Sequence, residues 1–560
     1  MLHMSLPRLL FVCLITVRLV AQTPSFKNPI LPGGYPDPSI CYADGVFYLA
    51  NSTFEYFPGL PIHQSMDLVN WELIGYGLDR AEQVMTDVNL RDVQSDGGIH
   101  APTLRYHDGL FYLITTNVYH HPETQTTDFV NFILTATHPA GPWSNPHVLH
   151  GAPGIDPDIF FDDDGRVWYV GTHSPENPSF PGEGEIWLQE IDLNTWSLIG
   201  ERHFLWRGAC GGVWVEGPHL YKRKGRYYLM VAEGGTSFNH AVMMAVSDTI
   251  VGPYIPNDRN PIFTSRHLSY DHWAHSTGHA DLIQLPDDRW YMVMLGIRGD
   301  EQRKSNMGRE TFLAPVAWEE EPFWWKNPKY EWPVVSPESG RIEQEYPSPF
   351  LSIQHTKEVT FRDEFDASTL DIAWNFRRVP VSKFHSLTAK KGHLRIYTQP
   401  MELKDRASAS FVGIRQTESH FSYETSMRFN PKTNGSEAGI ALVQKDHKYV
   451  SLTLQRQGDS HHIQLFCLQP NQEPLKLAER ALPKYSGALQ LKIISDAQGY
   501  SYYYALKDSE YQLLLTTGSD LVLSESYTGT YLGLYSTSHG ISTKDFADYD
   551  FVYYQGLAKD

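Results

Sequence analysis

The sequence predicts an all-β protein, a five-bladed β-propeller followed by a β-sandwich. Three observations carry this. First, one hairpin pattern returns five times, with turns starting at Asp44, Asp108, Asp164, Lys224 and Asp287, spaced 64, 56, 60 and 63 residues apart. Each turn leads into an aromatic-rich run such as Val46-Phe47-Tyr48-Leu49 or Arg226-Tyr227-Tyr228-Leu229. A long fixed period built from hairpins marks a repeat architecture, and four antiparallel strands per unit around a channel make a propeller. Second, helical periodicity is scarcely visible anywhere. Third, after a Pro- and Glu-rich stretch the chain continues as short alternating runs, such as Leu394-Arg395-Ile396-Tyr397, separated by turn clusters such as Asn434-Gly435-Ser436. That spacing without helices predicts a sandwich.

In chain order, residues 1–21 read as a signal peptide. Arg8 supplies charge, Leu9 to Val17 the apolar core, and Leu19-Val20-Ala21 a small-residue cleavage site before Gln22. An exported protein, periplasmic or secreted, is expected. No other stretch is apolar and long enough to span a bilayer. Val12 before Cys13 fits lipid attachment poorly. Cleavage leaves Cys41, Cys210 and Cys467, which are no disulfide framework, and buried free thiols are expected. The propeller is placed at 22–338, a connector at 339–355 and the sandwich at 356–560. The sandwich could brace the propeller, bind glycans or form a wall of the active site.

A polar residue stands 7 or 8 positions before every turn: Asp37, His100, Asp156, Glu216 and His279. Equivalent positions on the first strand of each blade line the central channel, so these five residues should converge there. Pro38 and Pro157 support a blander reading of the two aspartates as turn formers, but three carboxylates in register across five repeats favour convergence. The chain is 13% aromatic and 41% hydrophobic, which suits a folded β protein. Its 46 basic and 65 acidic residues give a formal charge of −19. Without basic runs, that balance argues against nucleic acid or anionic membranes and for a neutral small-molecule or glycan substrate. Three convergent carboxylates suit glycoside hydrolysis: one protonated acid for the leaving oxygen, one ionised base for water, and a third charge that keeps the acid protonated.

The ordered motifs resemble glycoside hydrolase family 43, the exo-acting β-xylosidases and α-L-arabinofuranosidases. They are Tyr35-Pro36-Asp37-Pro38-Ser39, Ser52-Thr53-Phe54-Glu55-Tyr56-Phe57-Pro58-Gly59, Gly98-Ile99-His100-Ala101-Pro102, Gly154-Ile155-Asp156-Pro157, Glu216-Gly217-Pro218-His219, Gly278-His279-Ala280-Asp281, Leu295-Gly296-Ile297-Arg298 and Gly308-Arg309-Glu310-Thr311-Phe312-Leu313. Phe361-Arg362-Asp363-Glu364-Phe365 and Tyr527-Thr528-Gly529-Thr530-Tyr531 resemble the concanavalin-like sandwich of that family's xylosidases. The resemblance implies Asp37 as general base, Asp156 as pKa modulator and Glu216 as general acid, with inversion in one displacement. It implies Arg298 as a sugar-contacting arginine. It implies no required cofactor, with His279 either in the site or near a calcium ion. His100 stands where many relatives carry Trp or Tyr, and Asp158 adds a charge where a small residue is common. Tyr56, Phe57 and Tyr527 are candidates for a sugar platform. Two other readings are a catalytically inactive glycan-binding propeller and a retaining sucrose- or fructan-acting enzyme; the Asn-Asp-Pro motif of the latter is not found near the N-terminus.

Overall fold

The computed structural model describes residues 24–299, 305–322, 324–325, 329–350, 360–496, 498–522 and 527–557. The signal peptide read at 1–21 lies outside them, as do 351–355 of the connector. Among the described residues no helix is long and apolar enough to cross a membrane.

Five antiparallel sheets form the propeller. The first comprises Ser39–Ala43, Val46–Ala50, Gly59–Ser65 and Glu72–Leu78; the second starts on Gly98–His107, the third on Ile155–Phe161, the fourth on Glu216–Arg223 and the fifth on Ala274–Gln284. Strands follow one another in sequence order within each blade, so local hairpins generate the whole ring. The turn chemistry explains three of those hairpins. Asp44-Gly45, Asp108-Gly109 and Lys224-Gly225 all have positive φ at both residues, between 48° and 89°. That is the left-handed pair a two-residue type I′ turn requires, and Asp and Gly adopt it at low cost. The third and fifth hairpins use longer loops, with a positive φ at Gly165 (84°) and Asp288 (68°).

The N-terminal segment closes the ring against the last blade. The Asn28 amide donates to the Leu313 carbonyl and its oxygen accepts the Leu313 N–H, both at 2.9 Å. Ser25–Lys27 pairs with Glu345–Pro347, so part of the expected connector is built into the propeller.

Two eight-stranded sheets make the sandwich, around a core that includes Trp374, Leu394, Tyr423, Leu491 and Tyr502. One edge of the second sheet is a piece of the propeller: Tyr56–Phe57 pairs with Asn375–Arg377. Tyr56 is 0% exposed and stacks on Tyr531 at 3.7 Å between centroids. Phe57 is buried beside Val379. The expectation that these two rings face a sugar is therefore corrected; they are grafted into the domain interface. Buried ion pairs surround this graft. Arg377 lies 3.3 Å from Glu55, and Arg378 makes two contacts to Asp446 at 2.9 and 2.8 Å. Gly529 is packed so closely on the loop before Arg309 that a Cβ there would meet the Met307 carbonyl oxygen at 2.2 Å. Cys41 and Cys467 are buried free thiols, while Cys210 is a free thiol at the surface, against expectation.

At the propeller's hub all five blades meet on one guanidinium. Arg105, from the second blade, donates to Asp281 of the fifth at 2.7 Å and to His219 Nδ1 of the fourth at 3.0 Å, and sits 3.2 Å from Asp158 of the third. Ser39, from the first blade, donates to the same Asp281 at 2.7 Å. Asp158 also accepts the Leu220 N–H at 2.9 Å, so this extra charge knits two blades together. Replacing Arg105 by Leu should strand two buried carboxylates and destabilise the protein by about 3–5 kcal/mol, read as a lowered midpoint in chemical denaturation; an unchanged midpoint would show that the cluster does not hold the ring.

Candidate active site

Just above the hub, the innermost strands depart from regular pairing at matching places. Register shifts lie between His100 and Thr103, Ile155 and Asp158, Glu216 and His219, and on both sides of Gly278. Bulges re-aim side chains, and here each falls on the residue singled out by sequence register. Asp37, Asp156 and His279 have φ of 50°, 55° and 43°. A left-handed backbone at three non-glycine residues costs on the order of 1 kcal/mol or more each, and the surrounding strands hold it.

All five register residues share one electrostatic site. Asp37 is buried; its Oδ2 accepts from Ser52 at 2.6 Å, while Oδ1 has no hydrogen-bond donor among the described residues. That oxygen lies 3.6 Å from an Arg309 nitrogen and 3.8 Å from His279 Nδ1. Burial pushes the Asp37 carboxyl up, but His279, Arg309, the Ser52 hydroxyl and His100 outweigh it and hold it below the usual aspartate range. Glu216 goes the other way. Burial and the Asp37 charge raise it to about 7, against the opposing pull of Arg309 and a Thr236 hydrogen bond. Asp156 is raised well above its ordinary value by burial, then by Glu216 and Asp37, although it accepts the Gly217 N–H. The site therefore holds one ionised carboxylate beside two that compete for protons.

The two histidines are neutral at pH 7. Burial drives His279 and His100 each down to about 4. His100 donates from Nε2 to the Asp96 carbonyl at 3.1 Å, leaving Nδ1 as an acceptor. Tyr527 brings the sandwich into the wall. Its ring stacks on Phe54 at 5.3 Å, lies 6.0 Å from His100, and carries the Arg309 guanidinium at 4.3 Å. So Tyr527 keeps its place at the site, unlike Tyr56 and Phe57.

Arg298 does not act as the sequence resemblance implied. It clamps Glu310 through Nε at 2.6 Å and Nη2 at 2.7 Å, and reaches the Thr417 carbonyl of the sandwich at 3.2 Å. Its Nε and Nη2 donors are engaged in a strut between domains. Arg309, eleven positions on and directly before the next strand, faces the carboxylates instead. The signal for Arg309 was present in Gly308-Arg309-Glu310-Thr311, and that for Phe54 in Ser52-Thr53-Phe54; Thr236 sits in no motif. A calcium ion near His279 would have to be held through water or backbone oxygens rather than by a cage of side chains. Among the described residues no three His, Cys, Asp or Glu side chains converge as a cage, and the axial carboxylates Asp158 and Asp281 already hold Arg105.

Comparison with known proteins agrees with this geometry. Residues 26–323 match the model of glycosyl hydrolases family 43, and residues 362–555 match the β-xylosidase C-terminal concanavalin A-like domain. A xylosidase/arabinosidase of Butyrivibrio fibrisolvens is 38% identical over 94% of this chain and 98% of its own length. A non-reducing-end α-L-arabinofuranosidase of Bacteroides ovatus is 36% identical over 95% of both chains. A solved xylan β-1,4-xylosidase from Bacillus halodurans superposes with a TM-score of 0.86 at 31% identity, over 95% of this chain and 100% of that one.

The two arginines should separate experimentally. Arg309→Met is expected to lower kcat/KM on an aryl glycoside by roughly 10²–10³-fold with little change in folding. Arg298→Met leaves Glu310 buried and unpaired, and should lower stability by about 3–5 kcal/mol while the folded fraction keeps most of its kcat. The reverse pattern, measured by steady-state kinetics and denaturation on both variants, would return the sugar-facing role to Arg298.

Proposed function

The chain belongs to glycosyl hydrolases family 43, and from that premise we propose that it removes terminal β-D-xylosyl and α-L-arabinofuranosyl residues from plant cell-wall glycans by a single inverting displacement at Asp37, Asp156 and Glu216. It is a glycoside hydrolase. The observation that carries the assignment of roles is the opposite displacement of two carboxyls in one site: buried Asp37 below its ordinary value, half-buried Glu216 raised to about 7. The relatives named xylosidase/arabinosidase and α-L-arabinofuranosidase support the pair of sugars. The leader read at 1–21 places the activity outside the cytoplasm in the same proposal.

In this mechanism the open Oδ1 of Asp37 accepts a proton from water. The water oxygen bonds to the anomeric carbon as the glycosidic C–O bond breaks. Glu216 gives its proton to the departing oxygen, so each proton lost is matched by one gained. Asp156, bonded to the Gly217 N–H beside Glu216, fixes that segment, while burial and the Asp37 charge keep Glu216 protonated. Arg309 balances the concentrated negative charge and approaches the sugar side of Asp37. Tyr527 and His100 supply the wall, Tyr527 by its ring face and His100 by its Nδ1 acceptor.

The pH dependence follows with a definite sign. The acid must be protonated, so kcat/KM should fall as pH rises through about 7, following Glu216. The base must be ionised, so the acidic limb should lie below the ordinary aspartate range, following Asp37. A profile still rising above pH 8 would overturn the assignment. Glu216→Gln should cost roughly 10²–10⁴-fold in kcat and remove the alkaline limb. Nitrophenyl xyloside and arabinofuranoside, followed by proton NMR of the first-formed anomer, test the sugars and the stereochemistry together. Release of neither sugar, or a product of retained configuration, would refute the proposal.

A further inference from the structure

The outer face of the sandwich sheet carries a second polar cleft, of about 870 Å³. That volume falls within the roughly 300–1,000 Å³ of ligand clefts. Strand pairing builds its floor. Arg395 of Leu394–Tyr397 and Arg428 of His420–Phe429 are both register partners of Asp548 on Phe546–Gly556. Three side chains therefore stand in one row across three strands, facing the same way. Asp548 is consumed by this row: it takes Arg395 through two contacts at 2.7 and 3.0 Å, with Lys390 at 3.5 Å.

The rims are held in place. Asp545 accepts the N–H groups of Lys432 and Thr433 at 2.8 and 2.9 Å, and the Thr433 and Thr543 hydroxyls meet at 2.6 Å. Both lining carboxylates are thus turned inward to structural work. The cations are not. Arg428, Lys432 and Lys544 are exposed, and among the described residues none of the three forms an ion pair. A chain of net charge −19 so presents a locally positive cleft. Two exposed rings edge it, Phe546 (37%), one face of which carries the Arg395 guanidinium at 3.7 Å, and Tyr397 (36%), 6.4 Å apart.

We propose that this cleft binds a glycan bearing carboxylate groups, a uronic-acid-substituted polysaccharide, at a site separate from the catalytic channel. The free cations would take the carboxylate, the Asn430, Thr433 and Ser542 side chains would meet sugar hydroxyls, and the ring pair would offer apolar surface to a pyranose face. Nucleic acid and other dense polyanions fit less well, because three cations amid an acidic chain supply no extended basic track. The separation follows from the strand itself. Tyr554, at its far end, bonds Thr417, the residue that Arg298 reaches from the propeller. Eight residues of extended chain put the cleft about 26 Å from that contact. The binding claim stands whether or not the proposed sugar specificity is right, since it is read without turnover.

The test is native affinity electrophoresis of the full-length protein in gels containing glucuronoxylan, carboxyl-reduced glucuronoxylan, uronate-free arabinoxylan or dextran sulfate, each compared with a polymer-free gel. The variant combines Arg428→Gln, Lys432→Gln and Lys544→Gln. Wild type should be retarded by glucuronoxylan, and the variant roughly tenfold less. Nitrophenyl glycoside hydrolysis should be unchanged in the variant, which checks its folding. Carboxyl-reduced polymer and arabinoxylan should retard both proteins equally and weakly. Equal retardation of wild type and variant by glucuronoxylan, or none of either, would overturn the site. Retardation by dextran sulfate as strong as by glucuronoxylan would overturn the glycan assignment in favour of a general polyanion surface.

Discussion

One buried guanidinium sets the terms for the rest of the molecule. Arg105 sits at the centre of a hub that also contains Asp158, Asp281, His219, Tyr221 and Ser39, one or more from every blade. In a low-dielectric channel two carboxylates cannot stay ionised without such a partner. Burial and the opposing attraction of Arg105 leave Asp281 far below its ordinary value, so the pairing persists across the physiological range. Each blade is tied to the same centre, and their relative rotation is fixed. The residues one step up each inner strand then have only one place to point.

That step up is where negative charge is concentrated on purpose. Three carboxyls share a small, partly desolvated volume, and like charges so placed cannot all ionise. The outcome depends on what else touches each group. Asp37 has Ser52, Arg309 and two histidines; for Glu216 and Asp156, burial and the Asp37 charge outweigh the pull of Arg309. Environment alone therefore divides chemically similar groups into a base and a proton-holding pair. Arg309 keeps the assembly from being intolerably anionic, and the sandwich keeps Arg309 in place by laying Tyr527 beneath it.

The second domain is structurally inseparable from the first. A two-residue strand of the propeller completes one of its sheets, two buried arginines bridge to Glu55 and Asp446, and a glycine contact at Gly529 presses its loop onto the segment carrying Arg309. The wall of the pocket is thus contributed by Tyr527, far along the chain from the propeller's last blade, which ends at Val335, and its position depends on packing between domains rather than on any local rule.

Much was legible in the sequence because hairpins are local. Asp-Gly and Lys-Gly pairs specify left-handed turns, aromatic runs specify strands, and a constant spacing specifies equivalent blades; the convergence of Asp37, His100, Asp156, Glu216 and His279 follows from equivalence alone. What the sequence could not settle is which partner a side chain finds across the fold. Arg298 and Arg309 lie in adjacent motifs and differ only in which one meets Glu310. Tyr56 and Tyr527 are both aromatic residues in motifs that match the family, yet one is swallowed by a sheet from the other domain. Period and turn type are properties of neighbouring residues, so the chain itself determined them. Ion pairing and burial are contests among residues far apart in the chain, and only the folded arrangement decided them.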